Sequence, residues 1–367
     1  MMKSVRVIMT LVVIVHCVFI VGVQLSMSQA PSEISPLNAL WFAWPYMWLL
    51  LVGLCIIALI TRSVTALIVG ISALLTTFET ARTVIDMGPL GANGLNTDVG
   101  SDTLTFLTYN VHGLHYNGKQ TLAEVMDFVL DERADVVCLQ ELAMNRKMKA
   151  EFEANEEIKA RYPHMVRTGN QYLTMSRFPI SEVAASEVTK SGEPNDIQVV
   201  DISVRPDKKI RIFNCHLASI SLSDNQIDSV YTTKKDGVSK QRIRSWRGTW
   251  GKMARAFGIR ETEVRLLRES IDMSPYPSLL CGDFNDTPIS FTYHTLTKAT
   301  PEAEPTESGM TDCHHSSGFS LCRTYRGNLP PLRIDYIMRS ASLGCSDYHE
   351  HDLPMSDHRA VSAEILY

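Results

Sequence analysis

The sequence predicts a mixed α/β or α+β domain of many short strands, carried behind a block of apolar helices. Three observations support that reading. The chain starts with long apolar runs almost free of charge. Its remainder alternates short β-rich stretches with segments of helical periodicity. The strand-like stretches stop, one after another, at polar residues suited to chemistry.

Val5 to Leu25 is interrupted only by Arg6, His16 and Gln24, and Leu40 to Ile60 carries no charge and three tryptophans toward its start. Both match the roughly 20 residues that cross a bilayer core. The tryptophans and Tyr46 suit an interfacial belt, with Pro45 starting or kinking the helix. Val64 to Phe78 is shorter and holds Gly, Ser and Thr, so it spans only with flanking residues or packs as a hairpin arm. Lys3 and Arg6 also look like the start of a signal peptide. The first run is long for one, however, and further apolar runs follow, which favours an uncleaved helix. A multi-pass integral membrane protein is expected, with spans at about 5–25, 40–60 and 63–80 inside a membrane region 1–82. Lys3, Arg6 and Arg62 place the N-terminus in the cytoplasm and everything after a third span on the extracytoplasmic side. Arg82 weakens that bias, and a third run that does not cross reverses it.

Pro89–Asp102 is rich in Gly, Asn and Asp and reads as the body of a linker over 83–102, leaving 103–367 as one domain. Thr103–Tyr109 alternates like a strand and ends at Asn110. Leu122, Val125, Met126, Val129 and Leu130 mark an amphipathic helix. Further strands are expected at Asp135–Gln140, Tyr172–Ser176, Gln198–Val204, Ile210–Cys215, Ser278–Cys281 and Arg333–Met338. There is no internal repeat.

With 367 residues, a net charge of −5 and a pI near 6.1, the chain has no global basic signature, so overall charge does not argue for nucleic acid. The cysteines leave the compartment open. Cys138, Cys215 and Cys281 sit in strands as small buried thiols, whereas a disulfide among Cys313, Cys322 and Cys345 is possible in an oxidising compartment. A zinc site from Cys313, His314, His315 and Cys322 fits no closed spacing pattern.

The strand ends carry the functional signal. They fall at Asn110, Glu141, His216 and Asp283 with Asn285; Asp335 lies in the next strand, and Ser356-Asp357-His358 follows near the C-terminus. Each alone is an ordinary turn, cap or core residue, but polar groups at successive strand ends can converge on one rim. Carboxylate and amide oxygens without a closed thiolate set suit Mg²⁺ or Mn²⁺, and two histidines beside them suit phosphoester hydrolysis. No nucleophile elbow, phosphate-binding loop or HExxH motif is present.

The ordered set Thr108–Gly113, Leu139-Gln140-Glu141, Leu173–Ile180, Asn214–Leu217, Gly282–Asn285, Arg333–Ile337 and Ser356-Asp357-His358 resembles the endonuclease/exonuclease/phosphatase (deoxyribonuclease I-like) superfamily. The resemblance covers about Leu104 to the C-terminus. It implies a four-layer sandwich of two mixed sheets flanked by helices, with the site at the rim between the sheets. It also implies roles. Glu141 is the principal metal ligand, with Asn110 and Asp357 near metal and phosphate. Asp283 would orient or activate water, and Asn285 would hold it or a phosphate oxygen. His358 would contact phosphate with Asp335 as its partner, and His216 would be a second phosphate-side imidazole or a proton donor.

The span Lys234–Arg260 concentrates Lys234, Lys235, Lys240, Arg242, Arg244, Arg247, Lys252, Arg255 and Arg260 around Trp246 and Trp250. It reads as a solvated insertion, a nucleic-acid groove or a lipid-headgroup contact. Arg326 is a candidate phosphate contact, and Asp286 is expected to face solvent or cap. The function expected is a membrane-anchored, Mg²⁺- or Mn²⁺-dependent hydrolase of nuclease or phosphodiesterase type. The alternatives are a phosphatase or phospholipase C-type enzyme on a lipid or small phosphoester, and an inactive membrane-tethered binding module. The partners implied are a phosphoester substrate and the bilayer; no protein partner follows from the sequence.

Overall fold

The strand-like stretches assemble into two six-stranded mixed sheets. This arrangement is seen in a computed structural model, which describes residues 2–34, 37–91, 93–97, 102–183, 197–220, 240–298, 309–315, 318–327 and 331–367. The first sheet runs in the order Gly344–His351, Ala360–Leu366, Thr103–Asn110, Val136–Gln140, Tyr172–Ser176, His164–Thr168. The second runs Thr311–Asp312, Asp335–Arg339, Ser278–Asp283, Lys208–His216, Ile197–Arg205, Ile180–Glu182. Each holds one parallel pair, Thr103–Asn110 with Val136–Gln140 and Lys208–His216 with Ser278–Asp283; the other pairs are antiparallel.

Alternation of side chains sets the layers, because successive residues of a strand face opposite ways. Leu104, Phe106, Val136 and Cys138 of the first sheet meet Val200, Ile212, Leu279 and Ile337 of the second in the central core. On the outer face of the first sheet, Leu107, Tyr109, Val137 and Leu139 bury the apolar stripe of the Leu122–Glu132 helix, the helix its periodicity predicts. On the outer face of the second, Phe213, Cys215, Leu280 and Met338 pack against the Lys240–Asp272 and Phe291–Thr297 helices. The result is the four-layer α/β sandwich expected. Several strands run one or two residues further than their sequence pattern indicates, so Asn110, His216 and Asp283 are last residues of strands and not the first residues beyond them.

Two N-terminal helices are long and apolar enough to cross a membrane, Lys3–Ser28 and Asn38–Ile60. The third apolar segment differs from the single run over 63–80. It is a helix of 13 residues, Val64–Thr76, that bends by 61° at Thr77 into Phe78–Val84. At 1.5 Å per residue the straight part rises about 20 Å, short of a hydrocarbon core of about 30 Å. The second helix packs antiparallel to the first and third, which run parallel to each other. At one end Arg6 donates to the Thr61 carbonyl and Thr10 meets Ser63; at the other Trp44 donates to Ile20 and Trp48 to Thr77. Apolar residues such as Val7, Ile8, Val15, Val18, Leu59, Ile60 and Leu75 remain exposed along the bundle, a surface that marks a membrane or another apolar partner.

The stretch read as a linker is docked. Ile85–Met87 pairs with Phe319–Leu321, Gly94 N donates to His314, and Asn96 exchanges backbone bonds with Cys345. Turn residues left the chain flexible in sequence terms, but free strand edges of the domain take it up. All eight cysteines are free, and Cys313 lies against Cys345 instead of Cys322. Lys234 and Lys235 lie outside the described residues, as do the side chains from Lys240 to Trp250.

Candidate active site

Strand register does most of the assembly. In the second sheet His216 pairs with Asp283 on the parallel neighbour, and Asp283 pairs with Asp335 on the antiparallel one. Three chemical side chains therefore stand in one row across adjacent strands, which lie roughly 4.8 Å apart. In the first sheet Asn110 pairs with Gln140, and Glu141 is the next residue along. Below the rim a polar seam joins the sheets: Gln140 donates to Asn214 Oδ1 at 2.7 Å and to Thr108 at 2.9 Å. A chain with alternating apolar faces would place leucine or valine there. The seam fixes how the two rows face each other.

Gly282 has φ of +116°, and a Cβ there would sit 2.0 Å from the Cys215 carbonyl oxygen, so only glycine lets this strand lie against its neighbour beside the site. Glu141 and Asn285 also hold positive φ, at 53° and 51°. Such backbone is costly for non-glycine residues and is kept where the surroundings over-determine it.

The side chains interlock. Asn110 Nδ2 donates to Glu141 Oε1 at 2.9 Å and to Asp283 Oδ2 at 3.0 Å, joining the two sheets' carboxylates. His216 Nε2 lies 3.3 Å from Glu141 Oε1 and 3.7 Å from Asp283 Oδ2. Asn285 donates its backbone N–H to Asp283 Oδ1 and its amide to Asp283 Oδ2 and the Leu217 carbonyl. His358 Nδ1 meets both oxygens of Asp335 at 3.0–3.1 Å, which leaves Nε2 facing Asp283 at 3.7 Å and Asp357 at 3.9 Å.

Burial and charge give these groups different proton affinities. Burial pushes the Asp283 carboxyl up; His358 and His216 pull it back, and Asp335 adds to the rise. Burial alone would lower His358, but the charges of Asp335 and Asp283 and the Asp335 hydrogen bond raise it to about 10. It is an imidazolium at neutral pH. Burial would likewise raise Asp357, yet the His112 hydrogen bond and the charges of His358 and His112 hold it below its ordinary value.

Glu141, His216 and Asp283 present ligand atoms within 4.8 Å of one another. Among the described residues, His216 Nε2 is buried without a hydrogen-bond partner. Two carboxylates with an imidazole beside them fit a divalent cation, which would relieve the like charges. The Asn110 Oδ1 accepts from His112 N and keeps a second lone pair, while its Nδ2 braces the two carboxylates.

Arg326, a candidate phosphate contact, is turned away. Its guanidinium binds the Leu353 carbonyl and Asp352, while its backbone N–H donates to the Asp357 carbonyl. Asp286 does not face solvent. It is buried, ion-paired to Arg260 at 3.3 Å and hydrogen-bonded by Thr292. Arg260 is likewise removed from any basic groove, buried over the Phe257 ring. Supporting residues without an assigned role also emerge. His112 Nδ1 pairs with Asp357 at 3.0 Å; Ser356 hydroxyl donates to the Asn110 carbonyl and accepts from His358 N; Thr324 hydroxyl accepts from the N–H groups of Ile334 and Asp335. His112 and Ser356 lie inside the motifs themselves, whereas nothing local marks Thr324.

Residues 107–358, more than half of the chain, match the endonuclease/exonuclease/phosphatase family, and the chain belongs to it. No curated protein matches the chain by sequence. Among solved structures it is similar to an AP endonuclease from Archaeoglobus fulgidus (14% identity, TM-score 0.43, covering 71% of this chain and 98% of that one). It is also similar to an endonuclease/exonuclease/phosphatase from Bacteroides vulgatus (15%, 0.42, 72% and 99%) and to the AP endonuclease LMAP from Leishmania major (16%, 0.41, 75% and 93%). The family is one of phosphoester hydrolases.

Proposed function

We propose that this chain is a membrane-anchored, divalent-metal-dependent phosphoester hydrolase of nuclease or phosphodiesterase type. The observation that carries the reading is the convergence of Glu141, Asp283, His216, Asp335 and His358 on one rim, from strand ends of both sheets. Glu141, with Asp283 and Asp357 nearby, would hold Mg²⁺ or Mn²⁺. Once bound, that cation neutralises phosphate charge and polarises the phosphorus centre. Asp283 orients water and takes its proton, helped by a proton affinity already raised by burial. Asn285 steadies that carboxylate and the water. The new oxygen–phosphorus bond forms in line with the bond that breaks, and His216 returns a proton to the departing oxygen. His358, charged and braced by Asp335, binds a phosphoryl oxygen and stabilises its growing negative charge.

The three apolar helices anchor the domain. Lys3, Arg6 and Arg62 share the end of the bundle opposite the sandwich, which favours an extracytoplasmic catalytic domain if the bent third segment crosses. In domain terms, 1–82 is the anchor, 83–102 its docked connection and 103–367 the catalytic unit. A second reading, hydrolysis of a lipid or small phosphoester, is favoured by one contact. Thr287 and Pro288, just after the Asp283 loop, share a small cavity with Trp41, Phe42 and Pro45 at the domain end of the second apolar helix.

The full chain in detergent should be assayed with Mg²⁺ or Mn²⁺ against DNA, RNA, phosphoinositides and sphingomyelin, with a chelator control. Chelator-sensitive cleavage of a polynucleotide supports the first reading. Turnover of lipid alone moves the assignment to the second. Turnover that survives both the chelator and Asp283→Asn removes the proposed mechanism.

A further inference from the structure

A second cluster of metal-ligating side chains lies where the chain leaving the apolar helices joins the sandwich, and it shares no residue with the rim. Asp86, in the Ile85–Met87 strand, His314 and Cys322 come from three separate segments. His314 and Cys322 are each 3% exposed. Asp86 Oδ1 lies 3.3 Å from Cys322 Sγ and 3.3 Å from His314 Nε2, and Cys322 Sγ lies 3.5 Å from His314 Nε2.

Those separations have a chemical meaning. With Zn–S of about 2.3 Å and Zn–N and Zn–O of about 2.0–2.1 Å, a tetrahedral site has ligand-to-ligand edges of about 3.3 Å for N to O and about 3.5 Å for S to N or O. The triangle formed by the three side chains matches such a face within about 0.2 Å, the tolerance expected of a metal site. Its charge also balances, since a thiolate, a carboxylate and a neutral imidazole around a dication leave no net charge in a buried place.

The surroundings resemble those of a ligated metal. Ligating carboxylates and imidazoles are themselves held by outer partners. Ser320, directly across the strand pair from Asp86, donates to its other oxygen at 2.9 Å. His314 Nδ1 is buried, lacks a hydrogen bond among the described residues and lies 3.9 Å from Glu350 Oε1, the acceptor nearest to serve as its outer partner. A cleft of about 420 Å³, lined in part by Arg82, Asn93, Asp312 and His314, gives solvent access on this side.

We propose that Asp86, His314 and Cys322 form a zinc site that staples the juxtamembrane strand to the catalytic sandwich. Cys322 is two residues from Thr324, whose hydroxyl holds the backbone of Asp335. The staple therefore fastens the segment leaving the membrane helices to the segment that braces the active-site histidine.

The test uses the full chain in detergent, with Zn²⁺ or Co²⁺ as the only added metal. Wild type should retain one zinc per chain after dialysis, and Glu141→Gln, which removes a rim ligand, should retain it too. Cobalt should give tetrahedral absorption with a thiolate-to-cobalt charge-transfer band. That band should vanish in Cys322→Ser and persist in Cys313→Ser. Ser320→Ala, a change at an outer partner that leaves the ligands in place, should weaken zinc by about tenfold or more in chelator competition. A wild-type cobalt spectrum without a thiolate band overturns the proposal. So does undiminished zinc affinity in Cys322→Ser.

Discussion

Asp283, the last residue of its strand, and Asp286, three residues on, are 1% and 2% exposed and are both pushed toward protonation by burial. They differ in company. Asp283 faces two imidazoles and two side-chain amides at a rim, groups that can exchange protons or yield to a ligand. Asp286 faces Arg260 and Thr292, and its backbone carbonyl accepts from Tyr336. A guanidinium does not give up its proton in a protein, so this pair is locked. Burial and a raised proton affinity are common to both sites; what separates catalysis from architecture here is whether the partners can titrate or move.

Breaking each partnership should separate turnover from stability. Asp283→Asn keeps the shape and most hydrogen bonds but removes the base. We expect kcat to fall by about 10³–10⁴-fold, with an unfolding midpoint close to wild type. Steady-state kinetics beside a thermal melt checks this, and a fall below tenfold would return Asp283 to the architectural class. Arg260→Ala does the opposite. It leaves Asp286 charged, buried and unpaired, at a cost of about 3–5 kcal/mol of stability. Activity per folded molecule at low temperature should change little, and chemical denaturation measures the loss.

The same contrast explains what the sequence made legible. Asn110, Glu141, His216 and Asp283 each end a strand whose apolar pattern is local, so a reader can place them at a rim and register then aligns them. Asp286 carries no such signal, because its partner lies on a helix elsewhere in the chain and only tertiary packing buries the pair. Arg326 shows the same limit: sequence places it before the Asp335 strand but not the Asp352 and Leu353 partners that hold its guanidinium. Cys313, His314, His315 and Cys322 drew notice as a spacing that fits no zinc pattern. Two of the four do come together with a third ligand, Asp86, that lies far away in sequence. The docking of Ile85–Met87, Gly94 and Asn96 was hidden likewise, since turn-rich composition says nothing about a waiting strand edge.

Asp335→Asn sharpens the comparison from the imidazole side. The neutral amide keeps a contact with His358 but withdraws the charge that holds its proton. Loss of a charge-assisted hydrogen bond costs about 1.5–3 kcal/mol, and we expect kcat to drop about 100-fold. The pH dependence fixes the cause. His358 is raised in the folded protein from 6.5 to about 10, so in metal-free protein its contribution is complete below 6.5 and is lost as pH rises through about 10. In Asp335→Asn the loss should set in at lower pH. Denaturation of the chelated protein across that window measures it, and an unchanged window would separate Asp335 from the charge state of His358.

Arg326→Ala is the smallest expected effect and the most direct test of the idea that company decides role. Its guanidinium sits with Asp352 and the Leu353 carbonyl, and its hydrogen bond to the site, from the backbone N–H to the Asp357 carbonyl, is one that alanine retains. Partly exposed contacts of this kind are worth about 0.5 kcal/mol. KM and kcat for whichever phosphoester proves to be the substrate should therefore stay within about twofold of wild type. A rise in KM of tenfold or more would mean that Arg326 leaves Asp352 when phosphate arrives. The rim would then extend beyond the strand ends, and a locked cation in the free protein would have to be counted among the groups that move.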